Sequence, residues 1–217
     1  MNPITRSILS EYKFNYNLYN DFCFAMHTMM DDILKKDKYK CHISSRLKEL
    51  SSLSEKIHRK KNQGVEYRHI EDIEDIVGVR IIFYTEMDRK KFLRRLTKEF
   101  DGSIDIRGIK KTKGSNGYSS VHAVASFGEK RLQLSEYNRF KGLKCEIQLT
   151  LMLEHAWAEV EHDILYKVDP KISHIDPKQY QSIKKRMQKI MSEYIHRASS
   201  EMESIIQEIK KIKITKR

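Results

Sequence analysis

Val77-Gly-Val-Arg-Ile-Ile-Phe-Tyr84 is rich in β-branched and aromatic residues, and it predicts a buried strand. Three further runs with strand character predict neighbours for it in a sheet: 42–45, 120–127 and 143–149. Between these runs apolar residues recur at helical spacing, which predicts helices over 47–61, 86–100 and 151–166. Strands that alternate unevenly with helices are typical of an α+β or mixed α/β domain. We therefore expect a mixed central β-sheet flanked by helices.

Both ends of the chain have the spacing of long helices. Residues 4–36 carry an apolar stripe, and 176–214 carry a narrow apolar seam with steps of three and four residues. The seam consists of Ile183, Met187, Ile190, Tyr194, Ala198, Met202, Ile205, Ile209 and Ile212. We expect the seam to pack on the chain's own first helix. The alternative is an interface with an oligomer partner or another protein.

The composition is that of a globular protein with a heavily charged surface, since 39% of the residues are hydrophobic and 33% are charged. The formal net charge is +12. Such a charge attracts polyanions, namely nucleic acid, nucleotides or an anionic membrane. A merely solvated basic face is the alternative interpretation.

Membrane and disulfide-rich classes are disfavoured. The longest apolar candidate, Ile76 to Tyr84, is too short to span a bilayer and contains Arg80. Residues 1–12 lack the apolar block of a signal peptide. The three cysteines are far apart and odd in number, which fits neither a disulfide framework nor a zinc site: Cys23, Cys41 and Cys145. We expect a cytoplasmic protein with reduced thiols and no membrane partner.

No glycine-rich phosphate loop is present, because neither the P-loop pattern nor G-x-G-x-x-G occurs. If the chain binds a triphosphate, side-chain cations have to hold it. Arg46, Lys48 and Lys56 offer such a set around a predicted strand-to-helix junction. By itself the set is equally typical of a solvated helix face.

Two carboxylates are candidates for chemistry. Asp75 comes directly before the predicted buried strand, where it could hold Mg²⁺ or simply end a loop. Glu146 lies inside a predicted strand, and the two-residue alternation places Gln148 on the same face. An acidic residue on a central strand is costly unless it is paired or binds a metal, so Glu146 is a site candidate.

Two further segments have polar residues at suggestive spacing. Tyr118 follows a stretch that is basic and could stack on a base, or it could belong to the core. His155, Glu159 and His162 share one helical face. Without a third histidine or cysteine at suitable spacing, a polar face lining a cleft is favoured over zinc.

Together these segments resemble the RelA/SpoT-type alarmone synthetase domain in its small single-domain form. The resemblance runs from Arg46 to Lys167 and rests on five motifs in family order. They are Arg46-x-Lys48 with Ser52 and Lys56, Asp75-Ile-Val-Gly-Val-Arg80, Asn116-Gly-Tyr118-Ser-Ser-Val-His122, Glu146-Ile-Gln148, and His155-Ala-Trp-Ala-Glu159-Val-Glu-His162 with Tyr166-Lys167. The resemblance implies a nucleotidyltransferase-like sheet and one synthetase domain over 1–217. Its parts would be an N-terminal helical part (1–40), a catalytic core (41–168) and a C-terminal helix (176–214).

The resemblance also implies a reaction, in which pyrophosphate passes from ATP to a ribose 3′-hydroxyl and leaves AMP. ATP would be held by Arg46, Lys48, Ser52, Lys56 and Arg80, with the two arginines sandwiching the adenine. The acceptor would be held by Asn116, Tyr118, His122 and Gln148, with Tyr118 stacking on its base and His122 contacting its phosphate. Asp75 and Glu146 would bind the cofactor Mg²⁺, or Glu146 would activate the 3′-hydroxyl.

The acceptor side departs from the family pattern. The Asp-Tyr-Ile segment and Pro-Lys pair usual in the family are missing from 105–113, and Leu149-Thr-Leu151 replaces the usual Ile-Arg-Thr. The chain therefore looks like the subgroup of toxic small alarmone synthetases, which modify the 3′-terminal adenosine of tRNA and are neutralised by an antitoxin. The tRNA would contact Lys35, Lys36, Lys110, Lys111 and Lys113. GDP or GTP is the alternative acceptor, and a non-catalytic RNA-binding module is the alternative of another class. Small synthetases often form homo-oligomers, so self-association is a further possibility.

Overall fold

The computed structural model describes residues 3–100, 102–109, 120–165 and 175–215. A five-stranded sheet with the order β1-β2-β5-β4-β3 lies at its centre. The strands are β1 (Cys41–Leu47), β2 (Val77–Phe83), β3 (Ile104–Ile109), β4 (Val121–Ala125) and β5 (Cys145–Leu151). β2 and β5 run parallel and the other neighbouring strands are antiparallel, so the expected mixed sheet is confirmed.

Helices flank the sheet and follow the predicted spacing closely. They are α1 (Pro3–Phe14), α2 (Tyr16–Lys36), α3 (Leu50–Asn62), α4 (Glu86–Phe100), α5 (Glu129–Leu132), α6 (Ser135–Asn138), α7 (Met152–Leu165), α8 (Pro177–Lys189) and α9 (His196–Thr215). A 3₁₀ turn spans Ile70–Asp72, and a π-helical segment spans Ile190–Ile195. The single helix predicted at the N-terminus is divided at Asn15. β3 was not predicted, because its sequence has weak strand character and it pairs with the sheet only at the edge, through β4.

The sheet separates an apolar face from a polar face. On β2, Val77, Val79, Ile81 and Phe83 are buried, whereas the residues between them are only half-buried. α2 contacts β1 and β2, and its Phe22, Met26 and Met30 belong to the same buried core and are wholly inaccessible. Burying each such side chain contributes roughly 1.5–3 kcal/mol to folding. The other face of β2 and β5 keeps its polar side chains available for a site.

The C-terminal helix packs differently from what we expected. Trp157 of α7 donates a hydrogen bond from Nε1 to the carbonyl oxygen of Met187 at 3.0 Å. Just beyond, the π-helical segment widens the helix, and Met191, which is not a member of the seam, becomes fully buried. Farther along, the Glu203 carboxylate accepts hydrogen bonds from the backbone N–H groups of Glu86 and Met87 at the start of α4. The expectation that the seam packs on the chain's first helix is therefore wrong.

These contacts to α7 and α4 fix the rotation of the C-terminal helix, and much of the seam stays accessible. The large seam residues that are exposed are Ile190, Tyr194, Met202, Ile205, Ile209 and Ile212. An apolar row of this length on an accessible helix surface is a feature of interaction sites. In the described part of the chain, no helix combines the length and the apolar character needed to cross a bilayer.

Candidate active site

The first row of site residues crosses β1, β2 and β5 on the polar face of the sheet. Strand register pairs Arg46 with Gly78 and Gly78 with Glu146, so all three lie on one surface. Gly78 leaves a hollow in this row. A Cβ atom there would lie 3.6 Å from Cγ of Arg46 and 3.9 Å from the carbonyl oxygen of Glu146. These are ordinary van der Waals distances, so the missing side chain leaves free space and not a steric conflict. A glycine inside a strand is typical of a place where a ligand approaches the backbone, and this signal was present in the sequence.

The second row runs parallel to the first and continues onto β4. Arg80 lies opposite Ser44 on one side and Gln148 on the other, and Gln148 lies opposite His122. Nε of Arg80 donates to Oε1 of Gln148 at 3.2 Å. A cavity of about 100 Å³ opens between the rows. Its lining includes both Arg46 and Arg80, the pair expected to sandwich an adenine.

Asp75, directly before β2, is contacted by two lysines. Nζ of Lys56 lies 2.6 Å from Oδ1 of Asp75, and Nζ of Lys48 lies 3.1 Å from Oδ2. The three side chains are only 12–21% exposed, so solvent and salt screen these pairs less than surface pairs. Lys48 is held by the bond from its N–H to the carbonyl oxygen of Ile76. Two cations and a carboxylate thus lie together at the start of β2.

The Glu146 carboxylate is held through both of its oxygens. Oε1 lies 3.1 Å from Nδ1 of His122, and Oε2 accepts a hydrogen bond from Nε2 of Gln148 at 2.9 Å. Burial by itself would raise the pKa of Glu146. The bonds to His122 and Gln148, the charge of a protonated His122 ring and the charge of Lys56 together outweigh burial and lower this pKa to about 2. Glu146 is therefore ionised at neutral pH.

Lys56 connects the two predicted carboxylates. It contacts Asp75 directly, and its charge also acts on Glu146. Asp75 and Glu146 therefore lie on the same side of the fold, where one nucleotide could reach both. Ser52, four residues before Lys56 on α3, lies on the same face of that helix and is exposed.

Helix α7 contributes Glu159, which was predicted to lie on a polar helix face lining a cleft but was given no role in binding or catalysis. Oε1 of Glu159 accepts a bond from Arg80 at 2.7 Å and lies 3.6 Å from Nδ1 of His155. Burial and the charge of Arg80 lower the pKa of His155. This agrees with a polar helix face that lines a cleft. Among the described residues, no group of three or more His, Cys, Asp or Glu side chains could hold a metal ion.

Other predicted residues are not brought to this cleft. Lys35 and Lys36 end α2 and precede β1, whereas Arg46 lies near the other end of β1. A seven-residue strand separates the two positions, which corresponds to roughly 20 Å. Lys35 also pairs with Asp31 at 2.5 Å. The predicted residues that fall outside the described part of the chain are Lys110, Lys111, Lys113, Asn116 and Tyr118.

Two solved structures share this fold. Small alarmone synthetase 1 of Bacillus subtilis, bound to its product pppGpp, matches with a TM-score of 0.73 at 23% identity, over 93% of this chain and 99% of that chain. Small alarmone synthetase 2 of the same organism matches with a TM-score of 0.67 at 27% identity, over 91% of this chain and 99% of that chain.

The sequence comparisons concern the part of the chain that forms the cleft. The GTP pyrophosphokinase YwaC of Bacillus subtilis (strain 168) is 31% identical over 129 residues, which are 59% of this chain and 59% of that protein. The family model described as the region found in RelA / SpoT proteins matches residues 45–171. That match covers more than half of the chain and includes Arg46, Arg80, His122, Glu146 and Gln148 of the cleft, so the chain belongs to the RelA/SpoT family.

Proposed function

We propose that this protein is a pyrophosphokinase that transfers the β,γ-pyrophosphate of ATP to a ribose 3′-hydroxyl. The observation that carries the proposal is the ionised Glu146, held on the same face as the Asp75–lysine cluster and the arginine-flanked cavity. Membership of the RelA/SpoT family supports the same chemistry, as does the activity named for YwaC.

Lys48, Lys56 and Glu146 have distinct roles in this reaction. Lys48 and Lys56 neutralise phosphate charge. Electrostatic stabilisation of this kind, together with positioning, is the main contribution of a protein to phosphoryl-type transfer. Glu146 accepts a hydrogen bond from the 3′-hydroxyl and orients it for in-line attack on the β-phosphorus. The bond from the β-phosphorus to the oxygen shared with the α-phosphate breaks, and AMP leaves. Because the pKa of Glu146 is about 2, it takes the hydroxyl proton only as the new P–O bond forms.

The carboxylates suit a Mg²⁺ ion that arrives with the nucleotide. Mg²⁺ is usually bound by one or two carboxylates together with substrate phosphates and water. Asp75 and Glu146 would hold it, and when bound it would neutralise charge on the transferred group. We therefore include Mg²⁺ as the cofactor.

For the acceptor we propose the 3′-terminal adenosine of tRNA, which would make the protein a translation-inhibiting toxin. The net charge of +12, the basic stretch 105–113 and the absent arginine after Gln148 support this choice. The second candidate is GDP or GTP, giving (p)ppGpp, and the name of YwaC favours it. A non-catalytic RNA-binding module would explain the charge but not a glutamate held ionised on a central strand.

The exposed seam supports a protein partner. We propose that it binds either an antitoxin or a second copy of this chain, because six apolar side chains remain accessible along it.

Incubation with ATP labelled in its terminal phosphates, Mg²⁺ and either tRNA or GDP tests the function. Label that moves to tRNA supports the proposed acceptor, and label on the guanosine nucleotide replaces it with the second candidate. Absence of transfer to both, with RNA binding retained, would leave only the binding module. Omission of Mg²⁺ by chelation with EDTA should abolish transfer in either case.

A further inference from the structure

We infer that His122 and Ser120 are positioning residues that aim the Glu146 carboxylate at the acceptor hydroxyl. This inference rests on the proposed function, in which Glu146 orients that hydroxyl. It assigns a role to Ser120, which was not among the predicted site residues. It also changes the role of His122, which the family resemblance had placed against an acceptor phosphate.

Both ring nitrogens of His122 have partners inside the protein. Nδ1 lies 3.1 Å from Oε1 of Glu146, and Nε2 lies 2.5 Å from Oγ of Ser120. An ionised carboxylate only accepts hydrogen bonds, so Nδ1 must carry the ring proton. In the neutral ring, Nε2 then accepts from the Ser120 hydroxyl. In this tautomer His122 has no N–H left to offer to a phosphate.

The Ser120 hydroxyl has its hydrogen-bond partner in the His122 ring. Ser120 is 3% exposed, and a buried hydroxyl needs a partner, which Nε2 of His122 provides. The order serine, histidine, carboxylate is that of a nucleophilic triad. However, a hydroxyl so deeply buried has no access to a substrate. Its contact therefore serves to fix the ring and its tautomer.

Gln148 completes the support from the opposite side. Its Nε2 donates to Oε2 of Glu146, while its Oε1 accepts from Arg80. The glutamate is therefore held at both oxygens and cannot turn its carboxylate plane. Each oxygen retains a second lone pair for the acceptor hydroxyl. Correct placement of a reacting group to within about 1 Å is worth up to about 10²-fold in rate.

A pair of His122 variants tests the inference kinetically. His122→Ala removes the support, and we expect kcat to fall by about 10–100-fold, the usual effect of removing a supporting hydrogen-bond partner. The KM values for ATP and acceptor should stay unchanged. His122→Asn places an amide N–H where Nδ1–H was and should restore much of kcat. A raised acceptor KM at unchanged kcat, or an Asn variant no better than Ala, would overturn the inference.

A measurement without turnover separates this inference from the proposed function. Long-range ¹H–¹⁵N spectra at one neutral pH report which nitrogen of each histidine carries the proton, and His122→Asn identifies the His122 signals. We expect the Nδ1–H tautomer in the wild-type chain and its loss in Glu146→Ala. An Nε2–H pattern in the wild-type protein would refute the positioning role. If the wild-type chain transferred pyrophosphate to neither acceptor, the function would fail, while the spectra would still decide the His122–Glu146 contact.

Discussion

Glu146 is the residue with the most direct consequence for turnover. We expect Glu146→Gln to abolish transfer, because the amide keeps the size of the side chain but loses the charge that orients and finally accepts the hydroxyl proton. Its affinity for ATP should stay within a few fold, since in the proposed mechanism Arg46, Lys48 and Lys56 hold the nucleotide. Labelled transfer and calorimetric ATP binding measure the two quantities. Glu129→Gln, an exposed change on α5, is the matched control. Turnover retained in the Glu146→Gln variant would remove this residue from the mechanism.

The same carboxylate predicts a pH dependence of stability. Its folded pKa of about 2 lies below the ordinary value of 4.5. Ionised Glu146 thus stabilises the fold above about pH 4.5, and this contribution is lost as the pH falls toward 2. The shift corresponds to roughly 3 kcal/mol.

Urea unfolding of the wild type and Glu146→Gln at about pH 7, 5 and 3 measures this contribution. We expect the free energy of unfolding to fall more steeply in the wild type between the two lower pH values. Parallel pH profiles for the two proteins would show that the pKa of Glu146 is not lowered by folding.

For single residues, the sequence indicated which charged side chains are candidates for the site, but it did not indicate which side chains they contact. Glu146 stood out because a carboxylate on a central strand needs compensation, and Asp75 because it precedes a buried strand. Nothing in the sequence could show that His122 reaches Glu146, or that Glu159 reaches Arg80. Those contacts depend on which strands and helices become neighbours, and the neighbouring residues are 79 positions apart in the second case.

Secondary structure elements were predictable where the pattern of side chains decides them. The β-branched and aromatic composition of β2 predicted that strand, and the alternation in β5 predicted the polar face that carries Glu146 and Gln148. β3 was not predicted, because its pairing with β4 and not its own composition makes it a strand. The π-helical segment was not predicted either. The seam was assigned by assuming regular α-helical spacing along the whole helix, and Ile190–Ile195 departs from that spacing. This is why the orientation of the seam was predicted wrongly.

Glu203 links two elements that are far apart in sequence. Its carboxylate accepts from the first N–H groups of α4, which have no partner within their own helix, and its negative charge lies at the positive end of the helix dipole. We expect Glu203→Ala to lower the free energy of unfolding by about 0.5–2 kcal/mol. Glu201→Ala on the same helix controls for helix propensity. Equal urea curves for the two variants would show that the contact does not stabilise the protein.

For the whole molecule, the distribution of basic residues predicts how the acceptor is chosen. We expect Lys110/Lys111/Lys113→Ala to weaken the reaction with tRNA far more than any reaction with GDP, because phosphate contacts dominate tRNA affinity. Steady-state labelling with each acceptor measures the effect. Lys178/Lys185/Lys189→Ala removes the same charge from exposed positions of α8 and should have little effect on either reaction. Similar losses with both acceptors would argue against a tRNA contact at 110–113.

The exposed seam predicts association between whole molecules. Ile205 is 54% exposed, so Ile205→Lys should leave the unfolding temperature unchanged while it weakens self-association. Gel filtration with light scattering gives the mass, and Gln207→Lys adds the same charge outside the seam as a control. A wild-type chain that stayed monomeric at every concentration would exclude a second copy as the partner.

The salt bridges from Lys48 and Lys56 to Asp75 give the cleft its own counterion. In the proposed mechanism an arriving triphosphate would therefore compete with the Asp75 carboxylate for the two lysines, and its net gain in free energy would be the difference between the two sets of attractions. In the proposed mechanism this competition would keep the affinity for nucleotide modest, and the return of Asp75 to both lysines would favour release of the spent nucleotide. After each cycle the cleft would thus return to the same set of salt bridges, with Asp75 offsetting one of the two lysine charges.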